Sequence, residues 1–166
     1  MIKIYLAAHY SRKEEVKKAA KDLFDAGVEV VSTWFRERAD PNTSMKDVSE
    51  TFCRTTAARD KEELDKATHF VLFTVDPDFK FSRGGHCWES GYADAKGLVR
   101  VVVGPRQHIF HYLPGTKRFD TWDEALSWLT KEKAVREGVE NLHKLTRADI
   151  ERRRAGDSWV TPTRWR

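Results

Sequence analysis

Cysteine is scarce in this chain of 166 residues, which contains only Cys53 and Cys87. Two cysteines make no disulfide framework, so the sequence predicts a protein of the reducing cytoplasm. Long apolar runs are missing as well, and no stretch approaches the roughly 20 residues that span a bilayer. Residues 1–9 (MIKIYLAAH) are a short apolar run without a small-residue cleavage site, and they predict a first strand rather than a signal peptide.

Glycine-rich nucleotide motifs are also missing. The sequence contains neither G-x-G-x-x-G nor G-x-x-x-x-G-K-[ST], so it signals neither dinucleotide binding nor a P-loop. His108 and His111, with His86 and Cys87 upstream, do not have the spacing of a strong zinc motif. We therefore predict no metal and no cofactor.

The net charge of +4 is confined to one end of the chain. Residues 133–166 carry nine Lys/Arg and five Asp/Glu, which accounts for the whole excess. Residues 1–132 are neutral overall, and this argues against nucleic acid as the partner of the main body. We predict one domain over residues 1–132, followed by a basic helical arm or tail over residues 133–166.

Strand and helix patterns alternate along residues 1–132. This alternation predicts an α/β three-layer sandwich with a parallel sheet of four to five strands, flavodoxin-like or Rossmann-like. Ligands in such folds bind beyond the carboxyl ends of the strands. The predicted strands cover residues 3–8, 28–34, 69–75 and 99–103. Two predicted helices span about 47–67 and 85–96. Two more begin at capping boxes, one at residues 11–14 and one at residues 121–124.

Asp60 interrupts an apolar stripe on the predicted second helix. Cys53, Ala57, Leu64 and Ala67 recur at helical spacing, and Asp60 falls on the same face. A carboxylate facing inward is costly unless it is paired or used. Two interpretations stand side by side: a functional carboxylate, or an imperfect stripe in which Asp60 pairs with Arg59 or Lys61.

Glu89 lies in the predicted first turn of the helix after Gly84-Gly85, where small residues allow a ligand to approach the backbone. A helix N-terminus would keep this carboxylate ionised, which suits a nucleophile. The alternative is a carboxylate that only complements the helix dipole. Arg12 and Arg83 precede helices at the same end of the sheet and are candidates for phosphate binding, or for ordinary solvated charge. Trp34 could stack on a base or simply pack at the rim.

Several segments in order resemble the nucleoside 2-deoxyribosyltransferase superfamily, which includes 2'-deoxynucleoside 5'-monophosphate N-hydrolases. The resemblance covers roughly residues 2–130. The matching segments are residues 4–12 (IYLAAHYSR), 32–34 (STW), 59–60 (RD), 83–85 (RGG), Glu89-x-Gly91-x-Ala93, 103–106 (VGPR), 110–114 (FHYLP) and 119–122 (FDTW). His86-Cys87-Trp88 and Ser90 depart from the usual pattern of close relatives, so the resemblance implies no particular base.

The resemblance implies roles for individual residues. Glu89 is the nucleophile that attacks C1' of the sugar, and Asp60 handles leaving-group protonation or positions the sugar. In the hydrolases a neighbouring subunit also reaches the phosphate, and His111 is the candidate here. The expected substrate-binding residues are Ala8, His9, Tyr10, Ser11, Arg12, Trp34, Asp76, Arg83, Gly84, Gly85 and His111.

The function so implied is cleavage of the N-glycosidic bond of a 2'-deoxyribonucleoside or its 5'-monophosphate, with water or another nucleobase as acceptor. Shared active sites imply a homodimer or a higher homo-oligomer. A non-catalytic nucleotide-binding module and an NAD-type glycohydrolase on a related fold are the alternatives.

Overall fold

A single parallel sheet organises the chain. The computed structural model describes residues 1–37, 46–75 and 84–154, apart from the side chain of Arg153. Within these residues the strand order is β2-β1-β3-β4-β5, with every pair parallel. This order is that of flavodoxin-like folds and confirms the predicted class. The strands are β1 (Lys3–Ala8), β2 (Glu29–Val30), β3 (His69–Phe73), β4 (Val99–Val103) and β5 (Lys117–Phe119).

Helices cover both faces of the sheet. They are α1 (Lys13–Asp25), α2 (Glu50–Lys66), α3 (Gly85–Ala95) and α4 (Trp122–Arg154), with 3-10 turns at Tyr10–Arg12, Trp34–Arg36 and Ile109–Tyr112. Along β1 the side chains alternate between two cores. Ile4 and Leu6 pack with α1 and the start of α4. Tyr5 and Ala7 pack on the other face with α2 and α3. The three-layer arrangement follows from this alternation.

The second strand is shorter than the predicted range of 28–34, because side chains replace its continuation. Val31 N still donates to the Ile4 carbonyl at 2.9 Å. Beyond it, Leu6 N donates to Ser32 Oγ at 2.9 Å, and Trp34 Nε1 donates to the Leu6 carbonyl at 2.7 Å. The backbone groups of Leu6 are thereby satisfied without a strand partner, and the chain turns away after Val30.

The first predicted capping box is wrong and the second is confirmed. Ser11 lies inside the 3-10 turn, and the preceding cap is the His9 ring, which accepts from Ser11 N at 3.2 Å. At the other box, Glu124 N donates to Thr121 Oγ1 and Thr121 N donates to Glu124 Oε2, both at 3.3 Å. This reciprocal pair of bonds opens α4.

Contacts divide the chain into two units, Ile2–Thr130 and Met1 with Lys131–Arg166. In the second unit the described residues continue α4 as far as Arg154. The domain boundary between residues 132 and 133 stays a prediction. Across the described residues, no helix is both long and apolar enough to cross a membrane.

Candidate active site

A buried tyrosine holds the carboxylate of Glu89. Tyr5, on β1, is fully buried, and its hydroxyl donates to Glu89 Oε1 at 2.7 Å. Glu89 lies on α3, so this bond joins α3 to β1. Burial raises the pKa of the Tyr5 phenol far above its ordinary value, and the charge of Glu89 raises it further. Tyr5 therefore stays a hydrogen-bond donor at every physiological pH.

Glu89 itself is unusually easy to protonate. Burial raises its pKa to about 7, while the bond from Tyr5 lowers the pKa and the negative charge of Asp60 raises it. We expected the helix N-terminus to keep this carboxylate ionised, and that expectation is wrong. Helix α3 begins at Gly85, and no acidic residue lies in its first turn. The favourable field of a helix end fades within one turn, so desolvation dominates at Glu89.

Asp60 is brought into the same carboxylate cluster. It lies on α2, half-buried, and its charge acts on both Glu89 and Tyr5. Arg59 Nη2 and Nε donate to Asp60 Oδ1 at 2.6 and 3.1 Å. Both interpretations of Asp60 thus have support: it pairs with Arg59, and it faces the carboxylate of Glu89. Burial raises the pKa of Asp60, and Arg59 opposes this rise.

Glu63 fixes the helix that carries Asp60. Its side chain is buried, and its two oxygens accept from Thr33 N at 2.9 Å and Thr33 Oγ1 at 2.5 Å. Thr33 belongs to the segment that leaves β2, so this pair ties α2 to the sheet. The negative charge of Glu63 also raises the pKa of Glu89.

The loop after β1 forms a compact turn beside α3. His9 Nδ1 lies 2.8 Å from Ser11 Oγ, and the His9 ring meets the His86 ring edge-on at 6.4 Å. Tyr10 packs against Trp34 with ring centroids 6.3 Å apart. Ala8 ends the strand that leads into this turn. These expected substrate residues are therefore close to one another and to the start of α3.

Arg12, by contrast, is already engaged. Its Nε and Nη2 donate to the two oxygens of Glu15 at 2.6 and 2.5 Å, and Nη1 donates to the Thr74 carbonyl. The guanidinium also lies over the Phe73 ring at 5.5 Å. An anionic ligand would have to compete with Glu15 for this group.

His111 lies in a group of histidines near the start of α3. It is 2% exposed, and its ring centroid lies 3.9 Å from that of His108. Its Nδ1 accepts from Gln107 N at 3.3 Å, while its Nε2 is buried with no hydrogen-bond partner among the described residues. Burial lowers the pKa of His111 to about 4, and the charges of His108 and His86 lower it further. The ring is neutral at pH 7.

The start of α3 supplies backbone donors. Gly84, at the N-cap, has φ of +77° and no side chain that could make a cap hydrogen bond. The first N–H groups of a helix lack partners within the helix, and at α3 these belong to Gly85 and His86. Asp76 and Arg83 were also expected to bind substrate, but both lie outside the described residues. Within the described ranges, no group of three or more His, Cys, Asp or Glu side chains could hold a metal.

Tyr5, Arg59 and Glu63 are the members of this site that were not predicted from the sequence. Tyr5 sits in an apolar strand and looks like a core residue there. A buried phenol needs a hydrogen-bond partner, however, and that need is a usable signal. Arg59 and Glu63 lie one and three residues from Asp60, on either side of it. Their i, i+4 spacing marks a possible Arg–Glu pair, but charged residues are so frequent along this helix that the pair does not stand out.

No protein-family model matches this sequence, and no curated protein matches it. Solved structures do share its fold. A 2-deoxyribosyltransferase from Bacillus psychrosaccharolyticus is 22% identical with a TM-score of 0.56, and the match covers 75% of this chain and 90% of that one. A conserved protein from Enterococcus faecalis V583 is 16% identical with a TM-score of 0.51, over 80% and 99% of the two chains.

A CMP N-glycosidase of Clostridium botulinum is 20% identical over 76% of this chain and 97% of its own, with a TM-score of 0.47, too weak a similarity to support an inference. The chain thus has the fold of a 2-deoxyribosyltransferase. The resemblance drawn from the sequence is confirmed at the level of the fold.

Proposed function

We propose that this protein cleaves the N-glycosidic bond of a 2'-deoxyribonucleoside or of its 5'-monophosphate through a covalent intermediate on Glu89. The observation that carries the proposal is the buried Glu89 carboxyl, held by Tyr5 at 2.7 Å beside a second carboxylate, Asp60. Two carboxylates in different environments are what glycosidic chemistry requires. The shared fold with a 2-deoxyribosyltransferase adds support.

In the first step a Glu89 oxygen attacks C1' and forms an ester as the bond from C1' to the base nitrogen breaks. The leaving base keeps the bonding electrons and takes up a proton, from Asp60 or from water. In the second step water, or the nitrogen of another base, attacks C1' as the ester bond to Glu89 breaks, and the proton that the attacking group loses returns to Asp60 or to water. Asp60 either protonates the leaving base or positions the sugar. Tyr5 orients the carboxyl so that one oxygen is left for the attack.

Recognition of a 5'-phosphate belongs to the same proposal. The uncapped start of α3, at Gly85 and His86, and the buried Nε2 of His111 are donors that suit an anion. The pairing of Arg12 with Glu15 reduces what Arg12 can add. We also propose that two or more copies assemble with shared active sites. The burial of His111 within its own chain, at 2% exposure, argues against the role in a neighbouring copy that the resemblance implied.

Release of free base from deoxynucleosides and their monophosphates, with and without a second base, tests the proposal. Free base without an acceptor indicates a hydrolase, and a new nucleoside formed only with an acceptor indicates a transferase. Glu89→Gln should abolish either activity, and a 2'-fluoro analogue should add its glycosyl mass at Glu89. Glu62→Gln, an exposed glutamate on α2 paired with Lys66, should match the wild type. Absence of turnover with every common base would refute the proposal.

A further inference from the structure

Arg59 lies among several carboxylates at the edge of the candidate site. Its Nη1 is 2.5 Å from Glu37 Oε1, its Nη2 is 2.6 Å from Asp60 Oδ1, and its Nε is 3.9 Å from Glu63 Oε1. The side chains of Asp60, Glu37 and Glu63 are 20%, 21% and 10% exposed, so water screens these pairs only in part. Arg59 itself is 35% exposed.

The groups that face Asp60 come from every element packed around it. Glu63 and Arg59 share its helix, Glu37 comes from the segment after β2, Glu89 from α3 and Tyr5 from β1. Among the described residues in these elements, Arg59 is the cation that contacts the cluster. Without it, Asp60 would face three other carboxyl groups across a partly desolvated space, and protonation would relieve their repulsion.

The contact between Arg59 and Asp60 involves only one of the two carboxylate oxygens of Asp60. Both donors of Arg59, Nε and Nη2, reach Oδ1. In the part of the chain that the structure describes, no hydrogen bond reaches Oδ2. The fork of a guanidinium often spans both oxygens of a carboxylate, so its use on one oxygen here leaves the other for a ligand.

We propose that Arg59 is a positioning residue, which holds Asp60 by Oδ1 as an ionised carboxylate so that Oδ2 meets the substrate as a hydrogen-bond acceptor. The inference rests on the proposed function, and it selects between the two roles that function leaves open for Asp60. An acceptor suits a hydroxyl of the sugar. A proton donor to the leaving base would instead need Asp60 to be neutral.

Three variants separate these roles. Arg59→Gln removes the charge, Arg59→Lys keeps the charge without the fork, and Arg54→Gln is the control. Arg54 lies on the same helix and pairs with Glu50, with both side chains more than three-quarters exposed. The readouts are the pH dependence of kcat/KM and a ¹³C NMR titration of the Asp60 carboxyl.

In Arg59→Gln we expect the Asp60 titration midpoint to rise by about 1 to 3 pH units, the range typical for an Asp beside an Arg. The acid limb of kcat/KM, which Glu89 also shapes, should move to higher pH and steepen, because two carboxylates that must both be ionised then protonate in the same pH range. Arg59→Lys should recover most of both shifts, and Arg54→Gln should show neither. Loss of packing alone would lower kcat/KM at all pH values without moving the limb.

Two results would overturn the inference. One is an Asp60 midpoint that stays in place in Arg59→Gln. The other is an alkaline limb that moves to higher pH while the acid limb stays, since that pattern means Asp60 works in its protonated form. The NMR titration needs no turnover, so it tests Arg59 even if the wild type releases no base, a result that would refute the proposed function alone.

Discussion

At the scale of single residues, the bond from the Tyr5 hydroxyl to Glu89 Oε1 determines how readily this carboxyl takes up a proton. The bond lowers the pKa of Glu89 against the larger effect of burial. Tyr5→Phe removes it, so the pKa should rise above about 7. A hydrogen bond to a charged group contributes about 1.5–3 kcal/mol, so we expect kcat/KM near pH 6 to fall by roughly 10- to 100-fold.

The pH profile of kcat/KM is the measurement for Tyr5→Phe, and its acid limb should move to higher pH. Tyr92→Phe is the matched control, because Tyr92 lies on α3 and its hydroxyl donates to Asp65 at 2.7 Å, away from Glu89. An unchanged acid limb in Tyr5→Phe would show that the bond has no influence on the reacting carboxyl.

The same carboxyl should make the folded protein less stable at neutral and alkaline pH. A pKa raised from 4.5 to about 7 means that the folded state binds the Glu89 proton more tightly than the unfolded state does. The stabilisation from that proton is complete below pH 4.5 and is lost as the pH rises through about 7. Glu89→Gln has no charge to bury, so it should be more stable than the wild type by about 1–3 kcal/mol at pH 8.

Urea unfolding of wild type and Glu89→Gln at pH 8 and at pH 4 measures this difference. The gain should shrink toward zero at pH 4, where the wild-type carboxyl is protonated in the folded state. A variant less stable than the wild type at pH 8 would contradict the raised pKa. Active-site residues commonly lower the stability of the folded protein in this way.

At the scale of elements, Gly104 marks a tight approach between the ends of β3 and β4. Its φ is +108°, and a Cβ there would lie 2.7 Å from Thr74 Oγ1. That hydroxyl is fixed by its bond to the Val103 carbonyl. Gly104→Ala should therefore lower the free energy of unfolding by roughly 2–4 kcal/mol, from backbone strain and the clash together.

Gly115→Ala separates these two causes. Gly115 also has a positive φ, +85°, but a Cβ there would meet no atom within 4 Å. We expect it to cost only about 1 kcal/mol in the same urea unfolding experiment. Equal losses in the two variants would show that the contact with Thr74 is unimportant.

The elements also show what the sequence can and cannot predict. The central strand His69–Phe73 was predicted because it belongs to a near-continuous apolar run, as expected for a strand covered on both faces. Val99–Val103 was predicted as the next strand after the helix that Gly97 ends. The end of β2 was missed because it depends on Ser32 and Trp34 bonding to Leu6, a residue far away in the chain. Asp60 drew notice as a carboxylate on a predicted inward face, but the roles of Asp60 and Glu89 came from the resemblance of the ordered segments. Tyr5 breaks no local pattern, and only the folded structure gives its hydroxyl a partner.

At the scale of the whole molecule, the second unit bears on the number of subunits. Along α4 an apolar stripe is exposed, with members at helical spacing: Val135, Val139, Leu142, Leu145 and Ile150. Exposed stripes of this kind mark interaction surfaces, and we expect this one to pair copies of the chain. Sedimentation should give a mass above the 19.3 kDa of one chain.

A double variant tests the stripe. Leu142→Glu with Leu145→Glu should lower the sedimenting mass toward that of one chain. Lys144→Glu is the control, since Lys144 lies on the opposite side of the helix and is 69% exposed. A double variant that keeps the wild-type mass would place the subunit contact elsewhere.

The parallel sheet has a consequence for how the chain reaches its native state. Among the strands that the structure describes, no neighbours are joined by a hairpin, and even the closest pair in sequence, β4 and β5, matches Val101 with Lys117. The partners at the centre of the sheet, Ile4 of β1 and His69 of β3, are 65 residues apart. Such non-local pairing slows folding into the range of milliseconds to seconds. On the ribosome, β1 must wait with one edge open until β3 has been synthesised, and in that interval it is the segment most exposed to pairing with another nascent chain.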